Sequence, residues 1–257
     1  GKWSHVLTED GVLACVQNRR LSKSEKQTVE ATLPERTYNH ITVKDPIVMG
    51  WHQVTSQSAN SGVSQVVAGT DLNVISPTWF SLSDNLGNIK SLASSDYVTY
   101  CHQNNIQVWG LVSNLENKNV DTTTVLNTTS YRDSLVNNLI TQAISYDLDG
   151  INVDMEALSV SAKDGYIEFI KELSIKCEKN DIILSVDNYV PSASTAFYNR
   201  SVQADYADYI SVMAYDEHYV GGDEAGSVAS IGFVEKGVAD TNMPIVYYVR
   251  IIDGIQE

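Results

Sequence analysis

The segment with the clearest capacity for chemistry is the octapeptide Asp-Gly-Ile-Asn-Val-Asp-Met-Glu at residues 149–156. Successive side chains of a β-strand point to opposite faces, so Asn152, Asp154 and Glu156 would share one face and the apolar residues the other. Burying carboxylates is costly unless they are paired or kept neutral, so a functional role explains this arrangement better than packing. The alternative is a solvent-facing antiparallel strand, in which such alternation is routine.

The carboxyl groups of Asp154 and Glu156 stand two residues apart on one face, with α-carbons roughly 6.5 Å apart. Two close carboxylates cannot both ionise cheaply, so the pKa of one of them rises. We expect Glu156 to be the protonated member, able to protonate a glycosidic oxygen, and Asp154 to remain the anion. Acid-catalysed cleavage of a glycosidic bond requires this division of roles.

The elements that would position these groups form a repeating pattern. Amphipathic helical segments, such as 131–146, alternate with apolar runs that start 26 to 43 residues apart, the length of a strand plus a crossover helix. The runs predict seven strands: 46–52, 72–77, 106–112, 149–156, 182–187, 209–216 and 244–249. Repeated βα units form a parallel sheet, either closed or open and doubly wound. Because no Gly-x-Gly-x-x-Gly follows a strand, we predict an α/β fold of the TIM-type (β/α)8 barrel class, truncated after the seventh strand.

The domain organisation predicted from the sequence has three parts. Residues 1–22 read as a β-hairpin that resembles the last hairpin of a bacterial Src-homology-3-like domain, and we take them as the tail of that small β module. Residues 23–45 are predicted to be a linker. Residues 46–257 are predicted to be the barrel catalytic domain, incomplete at its C-terminus.

Composition and charge exclude several classes of function. The net charge of −15 and pI of about 4.6 disfavour nucleic acid and anionic membrane surfaces as partners. No apolar run approaches the roughly 20 residues of a membrane span. Cys15, Cys101 and Cys177 stand far apart, and the five histidines form no His-Glu-x-x-His motif. We therefore predict neither a metal site nor a cofactor.

Two motifs resemble those of glycoside hydrolase family 18, the chitinase family. The octapeptide 149–156 resembles the family signature D-G-x-D-x-D-x-E, and Met213-Ala214-Tyr215-Asp216, at the end of the sixth predicted strand, resembles its M-x-Y-D. The extension through Glu217 and His218, together with Asn152 in place of the middle Asp, is similar to the bacterial branch that includes spore-cortex and other peptidoglycan N-acetylglucosaminidases. The resemblance covers about residues 45 to 252.

This resemblance implies a substrate-assisted retaining mechanism. Glu156 would protonate the leaving oxygen, Asp154 would orient the 2-acetamido group that attacks the anomeric carbon, and Tyr215 would hydrogen-bond the acetamido carbonyl. Asp149 would be structural. Asn152 departs from the family pattern, because an amide cannot exchange a proton with Asp154 as an Asp can, and this departure bears on the pH profile.

Further residues near the ends of the predicted strands are candidates for binding the substrate. An indole can stack on a sugar, although large aromatic residues more often simply pack. Tyr248 and Arg250 resemble the Y-x-R of the family's seventh strand. The candidates are Trp51, Trp79, Trp109, Asp187, Asn188, Tyr189, Met213, Asp216, Glu217, Tyr248 and Arg250.

The expected activity is hydrolysis of β-linked glycans that contain N-acetylglucosamine, of the peptidoglycan or chitin type. The expected partner is therefore a polysaccharide or peptidoglycan, and the expected location is extracellular or associated with a bacterial cell wall. The alternative is a non-hydrolytic, chitinase-like lectin. Such lectins typically lose the last Glu of the signature, whereas this chain has Glu156. The oligomeric state and the choice among peptidoglycan, chitin and N-glycans stay open.

Overall fold

The computed structural model describes residues 1–7, 13–24, 38–219, 221–222 and 224–241. The chain divides into two compact units, residues 1–37 and 38–257. In the first unit, strands β1 (Trp3–Leu7) and β2 (Leu13–Gln17) pair antiparallel, and a 3-10 turn follows at Asn18–Arg20. The predicted hairpin is therefore confirmed, while the wider module to which it would belong stays a prediction.

The second unit is built on a parallel sheet in which six strands neighbour one another in chain order. β5 and β6 form an antiparallel hairpin beside the end of β7. The strands of this unit are β3 (Met49–His52), β4 (Val74–Pro77), β5 (Phe80–Leu82), β6 (Ile89–Ser91), β7 (Gln107–Ser113), β8 (Gly150–Asp154), β9 (Ile183–Tyr189) and β10 (Tyr209–Met213), and the parallel order is β3-β4-β7-β8-β9-β10. The first six predicted barrel strands are thus confirmed. The seventh, 244–249, lies outside the described residues, as do Tyr248 and Arg250.

Helices lie between successive parallel strands, and one more follows β10. They are α1 (Val63–Val67), α2 (Ser95–Gln103), α3 (Thr122–Asn127), α4 (Thr129–Tyr146), α5 (Lys163–Lys179), α6 (Arg200–Ala204) and α7 (Ile231–Thr241), and short 3-10 turns lie at Gln57–Gly62, Val160–Ala162 and Ala196–Tyr198. Helix α4 buries an apolar stripe at helical spacing and ends where Asp147 adopts a left-handed conformation (φ 57°). No helix within the described ranges is long and apolar enough to cross a membrane.

The two faces of the sheet have different environments. Outward-facing strand residues join the large core with the helices: Ile75, Val108, Val112, Ile151, Val153, Val186 and Ile210. A smaller core fills the inner face near the strand N-termini: Ile47, Met49, Val74, Trp109, Ile183 and Tyr209. A curved parallel sheet with helices outside and side chains in layers inside is the TIM-type barrel architecture, and the fold prediction is confirmed.

The structure revises the predicted boundary between linker and barrel. The unit that contains the sheet begins at residue 38, not 46. The Ile41 N–H donates to Asp208 Oδ1 at 2.7 Å, and the Val43 N–H donates to the Tyr209 hydroxyl at 2.6 Å. Residues 38–45 therefore pack against the N-terminal end of the sheet. The hairpin β5–β6 was also missed, because its three-residue strands are too short to show a periodic pattern.

Candidate active site

The inner face of the sheet turns polar toward the C-terminal ends of its strands. The register of β8 and β9 pairs Val153 with Val186, so the next positions, Asp154 and Asp187, lie side by side. Neighbouring strands are about 4.8 Å apart, which brings these two carboxyl groups close together. The register with the flanking strands extends this row, which comprises Ser113, Asp154, Asp187 and Ser211.

Asn152 lies one row below, opposite Ser185. Its Nδ2 donates a 2.7 Å hydrogen bond to Oδ2 of Asp187, across the two strands. Both side chains are buried, and Asp187 is only 2 % exposed. The Oδ1 atoms of Asp154 and Asp187 are buried and have no hydrogen-bond partner among the described residues. The inward-facing file predicted for Asn152 and Asp154 is therefore present, and a neighbouring strand adds a third polar group.

The electrostatics differ from the expected division of roles. Burial, followed by the charges of Glu156 and Glu116, raises the pKa of Asp154 to about 7. Burial and the charge of Asp154 raise the pKa of Asp187 well above its usual range, and Asn152 opposes part of that increase. Asp154, which we expected to remain the anion, therefore has a raised pKa, as does the neighbouring Asp187. The main cause is burial, because Asp187 is buried and Asp154 half-buried, and burial disfavours the charged form of a carboxyl.

Glu156 follows the end of β8 and is held through its backbone. The Glu156 N–H donates to Oδ1 of Asn114 at 2.9 Å, and Nδ2 of Asn114 donates to the Glu156 carbonyl at 2.9 Å. The chain then turns at Ala157, which has a left-handed φ of 49° and donates its N–H to the Tyr189 hydroxyl at 3.1 Å. The pKa of Tyr189 is raised, mainly by burial and also by Glu156. Tyr189 therefore lies beside the Glu156 carboxylate, as predicted for a residue of the site.

Tyr198 braces the same turn from the other side. Its hydroxyl donates to the Met155 carbonyl at 3.1 Å and accepts a hydrogen bond from the Leu158 N–H at 3.2 Å. Sequence reasoning missed both Tyr198 and Asn114. Asn114 lies two residues after the third predicted barrel strand, so the strand-end criterion could have found it. No comparable signal marks Tyr198, which reaches the turn from a 3-10 turn in the loop after β9.

Tyr215 and Trp51 complete the cluster on its other flank. Their ring centroids are 6.1 Å apart in an edge-to-face arrangement. Burial, followed by the charges of Asp187, Asp154 and Glu156, raises the pKa of Tyr215. Both aromatic side chains are half-buried. Met213 is the register partner of Tyr189 and faces the same interior. The structure therefore brings Tyr215, Trp51 and Met213 to the acidic cluster.

Trp109 and Asn188 were predicted to bind substrate, and the structure places both elsewhere. Trp109 is fully buried at the N-terminal end of the inner face, with its ring 5.3 Å from that of Tyr209. Its register partner is Gly150, where a Cβ would lie 2.8 Å from the indole. Asn188 exchanges hydrogen bonds with Gln203 of α6 on the outer face. Trp109 lies too close to the N-terminal end of its strand to reach the acidic cluster. Asn188 points to the outer face because side chains alternate along a strand.

Two of the remaining predicted residues, Asp149 and Glu217, form hydrogen bonds that stabilise the surrounding backbone. Asp149 lies at the opposite end of β8, where its Oδ2 accepts from the Val108 N–H at 2.7 Å and hydrogen-bonds His102 at 2.9 Å. This geometry fits the structural role expected of Asp149. Glu217 accepts the Ser230 N–H at 2.8 Å, which ties the loop after β10 to the start of α7, and hydrogen bonds from the side chain and the backbone of Ser230 lower the pKa of Glu217. Asp216 is exposed and has a left-handed φ of 60°.

A cavity of about 440 Å³ lies at the C-terminal ends of β3, β4 and β7. Glu116 connects it with the acidic cluster, because Glu116 raises the pKa of Asp154 and also lines the cavity. Trp79 lines it too, although the indole is only 1 % exposed and donates its N–H to Asn60 at 2.8 Å. Lys90 contributes a positive charge. The lining includes Gln53, Thr78, Trp79, Lys90, Glu116 and Asn117.

Within the part of the chain that the structure describes, no three His, Cys, Asp or Glu residues are grouped so that they could hold a metal ion. The carboxyl groups of the acidic cluster can hold and transfer protons. Glu156, a half-exposed carboxyl, lies near the half-buried Asp154 and the buried Asp187, whose pKa values are both raised.

Comparisons with known proteins agree with this geometry. The family model described as "Glycosyl hydrolases family 18" matches residues 53–250. The uncharacterized glycosylase YvbX of Bacillus subtilis (strain 168) is 29% identical over 180 residues, which are 66% of this chain and 52% of YvbX. The chain thus spans about half the length of this relative.

Two solved structures share the fold. The Bacillus cereus spore cortex-lytic enzyme SleL has a TM-score of 0.69 and 17% identity, over 80% of this chain and 49% of that one. A chitinase from Chromobacterium violaceum ATCC 12472 has a TM-score of 0.67 and 20% identity, over 82% of this chain and 68% of that one.

Proposed function

Because this chain belongs to glycosyl hydrolase family 18, we propose that it hydrolyses β-linked glycans that contain N-acetylglucosamine. One observation carries the proposal above all. The backbone of Glu156, two residues after the end of β8, is held by Asn114, and the half-exposed side chain of Glu156 lies near Asp154, the last residue of that strand. A group that transfers a proton to a glycosidic oxygen needs this combination of access and fixed position.

The proposed reaction proceeds in two steps with retention of configuration. Glu156 donates its proton to the glycosidic oxygen while the carbonyl oxygen of the 2-acetamido group attacks the anomeric carbon and forms an oxazolinium ion. Asp154, in its anionic form, holds the acetamido N–H, and Tyr215 hydrogen-bonds the acetamido oxygen. Water then attacks the anomeric carbon and loses a proton to Glu156, which restores the starting enzyme.

The acetamido group acts as nucleophile in this proposal because no suitable carboxylate faces Glu156 in the described cluster. A protein nucleophile in a retaining enzyme stands about 5–5.5 Å from the acid, on the other side of the sugar. Asp154 ends β8 two residues before Glu156, and Asp187 is 2 % exposed beneath the site. An intramolecular acetamido group has an effective molarity that can reach about 10⁵ M or more.

For the substrate we propose the glycan strands of peptidoglycan, with chitin-type oligomers as the second candidate. The fold is shared with a spore cortex-lytic enzyme as well as a chitinase, and the cavity beside the cluster is large enough for a further sugar ring. Such a substrate implies an extracellular or wall-associated site of action. A non-hydrolytic lectin is less favoured, since Glu156 is present and positioned.

Replacing Glu156 by Gln tests the proposal, because the change keeps the shape and removes the transferable proton. We expect kcat on N-acetylated oligomers or glycan strands to fall by about 10²–10⁴. The Kd of a thiazoline mimic of the oxazolinium should stay within a few fold. The matched control is Glu168→Gln on the outer helix α5, which should leave kcat unchanged.

Near-wild-type turnover by Glu156→Gln would refute the assignment of the acid. The mechanism itself has a separate test with substrates that lack the acetamido group. Rapid hydrolysis of a 2-hydroxy glucoside, or trapping of a glycosyl ester on any carboxylate, would exclude substrate assistance.

A further inference from the structure

We propose that Asp187 is a positioning residue that shares one proton with Asp154 and so supplies, from the neighbouring strand, the carboxyl that Asn152 lacks. This inference rests on the proposed function. Asp187 touches no substrate atom in it and acts only through Asp154. No local motif marks this role, because Asp187 follows Asp154 by 33 residues.

The geometry of β8 and β9 carries the proposal. Asp154 and Asp187 occupy neighbouring register positions on the inner face, directly after the pair Val153–Val186. Asn152 fixes the orientation of Asp187, because its Nδ2 binds Oδ2 of Asp187 at 2.7 Å. The remaining oxygen of Asp187 and one oxygen of Asp154 are both buried without a partner. A proton between the two carboxyls would satisfy both of these atoms.

The surroundings keep this pair at a single negative charge. Two adjacent buried carboxylates cannot both ionise at neutral pH, as in other carboxyl dyads. Asp187 is faced by Trp51 on β3, Ser211 on β10, Asn152 and Asp154 on β8, Tyr166 on α5 and Tyr215 after β10. Asp154 is faced in addition by Glu156, by Glu116 after β7 and by Tyr198 after β9. The further acids among these groups favour retention of the proton, whereas Asn152, Ser211 and Trp51 oppose part of that effect at Asp187.

The shared proton lets Asp154 change its protonation state without exchange with solvent. When the acetamido N–H of the substrate approaches, the O–H bond on Asp154 breaks and an O–H bond forms on Asp187. The pair then still holds one proton and one negative charge, and the charge resides on Asp154 facing the oxazolinium. Asn152 cannot accept a proton in this way, but its amide holds Asp187 in the position to do so.

The test is the pH dependence of kcat/KM in the full chain carrying Asp187→Asn. A lone buried Asp154 has no shared proton to stabilise its anion, and a hydrogen bond to a charged group is among the stronger ones. We expect the acid limb of the profile to move to higher pH by about one unit. The exchange variant Asn152→Asp/Asp187→Asn returns a carboxyl to the neighbourhood of Asp154 and should bring the limb back toward its wild-type position.

Asp208→Asn is the matched control. Asp208 is also a buried aspartate, but its carboxylate accepts the N–H groups of Ile41 and Leu184 at the other end of the sheet. Its loss should lower stability and leave the acid limb in place. If Asp187 has a purely structural role, Asp187→Asn should lower stability and kcat and leave the acid limb of the pH profile unmoved. That result, or an exchange variant whose limb stays displaced, would overturn the proposal.

A titration of the wild-type protein keeps the proposal testable if Asp187→Asn fails to fold. With ¹³C-labelled aspartate, Asp154 and Asp187 should follow titration curves that share two apparent pKa values. Independent single-step curves would overturn the shared proton. This measurement needs no substrate, so it remains decisive even if the wild-type protein proves inactive and the proposed function fails.

Discussion

Asn114 offers a direct test of how the site holds its acid. Replacing Asn114 by Ala removes two hydrogen bonds of 2.9 Å, one to the N–H and one to the carbonyl of Glu156. At about 0.5–1.5 kcal/mol each, their loss should lower the free energy of unfolding by about 1–3 kcal/mol. For a unit of this size, that corresponds to a decrease in Tm of about 2–12 °C.

The effect on catalysis should exceed the effect on stability. Once its backbone is released, the Glu156 carboxyl can shift, and a misplacement of about 1 Å can cost about 10²-fold in rate. We expect kcat to fall by about 10- to 100-fold with KM changed by less than threefold, as measured by release of reducing ends.

Asn73 provides the control for this experiment, because it makes the same pair of backbone contacts elsewhere. It accepts the Val48 N–H and donates to the Pro46 carbonyl, both at 2.8 Å, at the N-terminal end of the sheet. Asn73→Ala should lower Tm to a similar extent and leave kcat unchanged. If Asn114→Ala loses the stability but keeps kcat within twofold of wild type, the two bonds do not position Glu156.

Two further predictions follow from the charges of the site. The free energy of unfolding should fall as pH rises from about 4 to 8, because the pKa of Asp154 is raised to about 7 and the folded state holds a proton that the unfolded chain releases. Urea denaturation at several pH values measures this decrease; Asp154→Asn should reduce it, and an unchanged slope would contradict the assignment. Lys90→Gln should raise KM several-fold for glycan strands whose muramic acid bears a carboxylate and leave KM for chitin oligomers unchanged, because Lys90 lines the adjoining cavity. An equal effect on both substrates would show that Lys90 does not recognise that acid.

The inward-facing residues of β8 could be predicted from the local sequence alone. Alternation along 149–156 predicts that Asn152 and Asp154 face the interior, and the structure shows both there. Apolar Ile151 and Val153 pack outward among the helices for the same reason. The period of two is set by the backbone of the strand itself, so it can be read without knowing any neighbour.

The depth of a residue along its strand and the face to which its side chain points were harder to predict from the sequence. Trp109 lies in the middle of the predicted strand 106–112, and its place near the N-terminal end of the inner face depends on how far β7 continues beyond it, to Ser113. Asn188 and Asp187 are adjacent in sequence, yet one contacts Gln203 outside and the other contacts Asn152 inside. A strand pattern indicates that two faces exist, but apolar residues on both faces of a parallel strand hide which of them is the interior.

The amino-acid sequence by itself determined the succession of βα units, the carboxyl file of Asp154 and Glu156, and the family to which the chain belongs. These features depend on residues that are close together in the chain. Only the tertiary structure decided that Asp187 stands beside Asp154, that Asn114 and Tyr198 hold the turn around Glu156, and that the raised pKa values belong to the buried acids. Register between strands and depth below the surface arise from contacts between distant segments, and the desolvation that shifts a carboxyl's pKa exists only once those segments have packed.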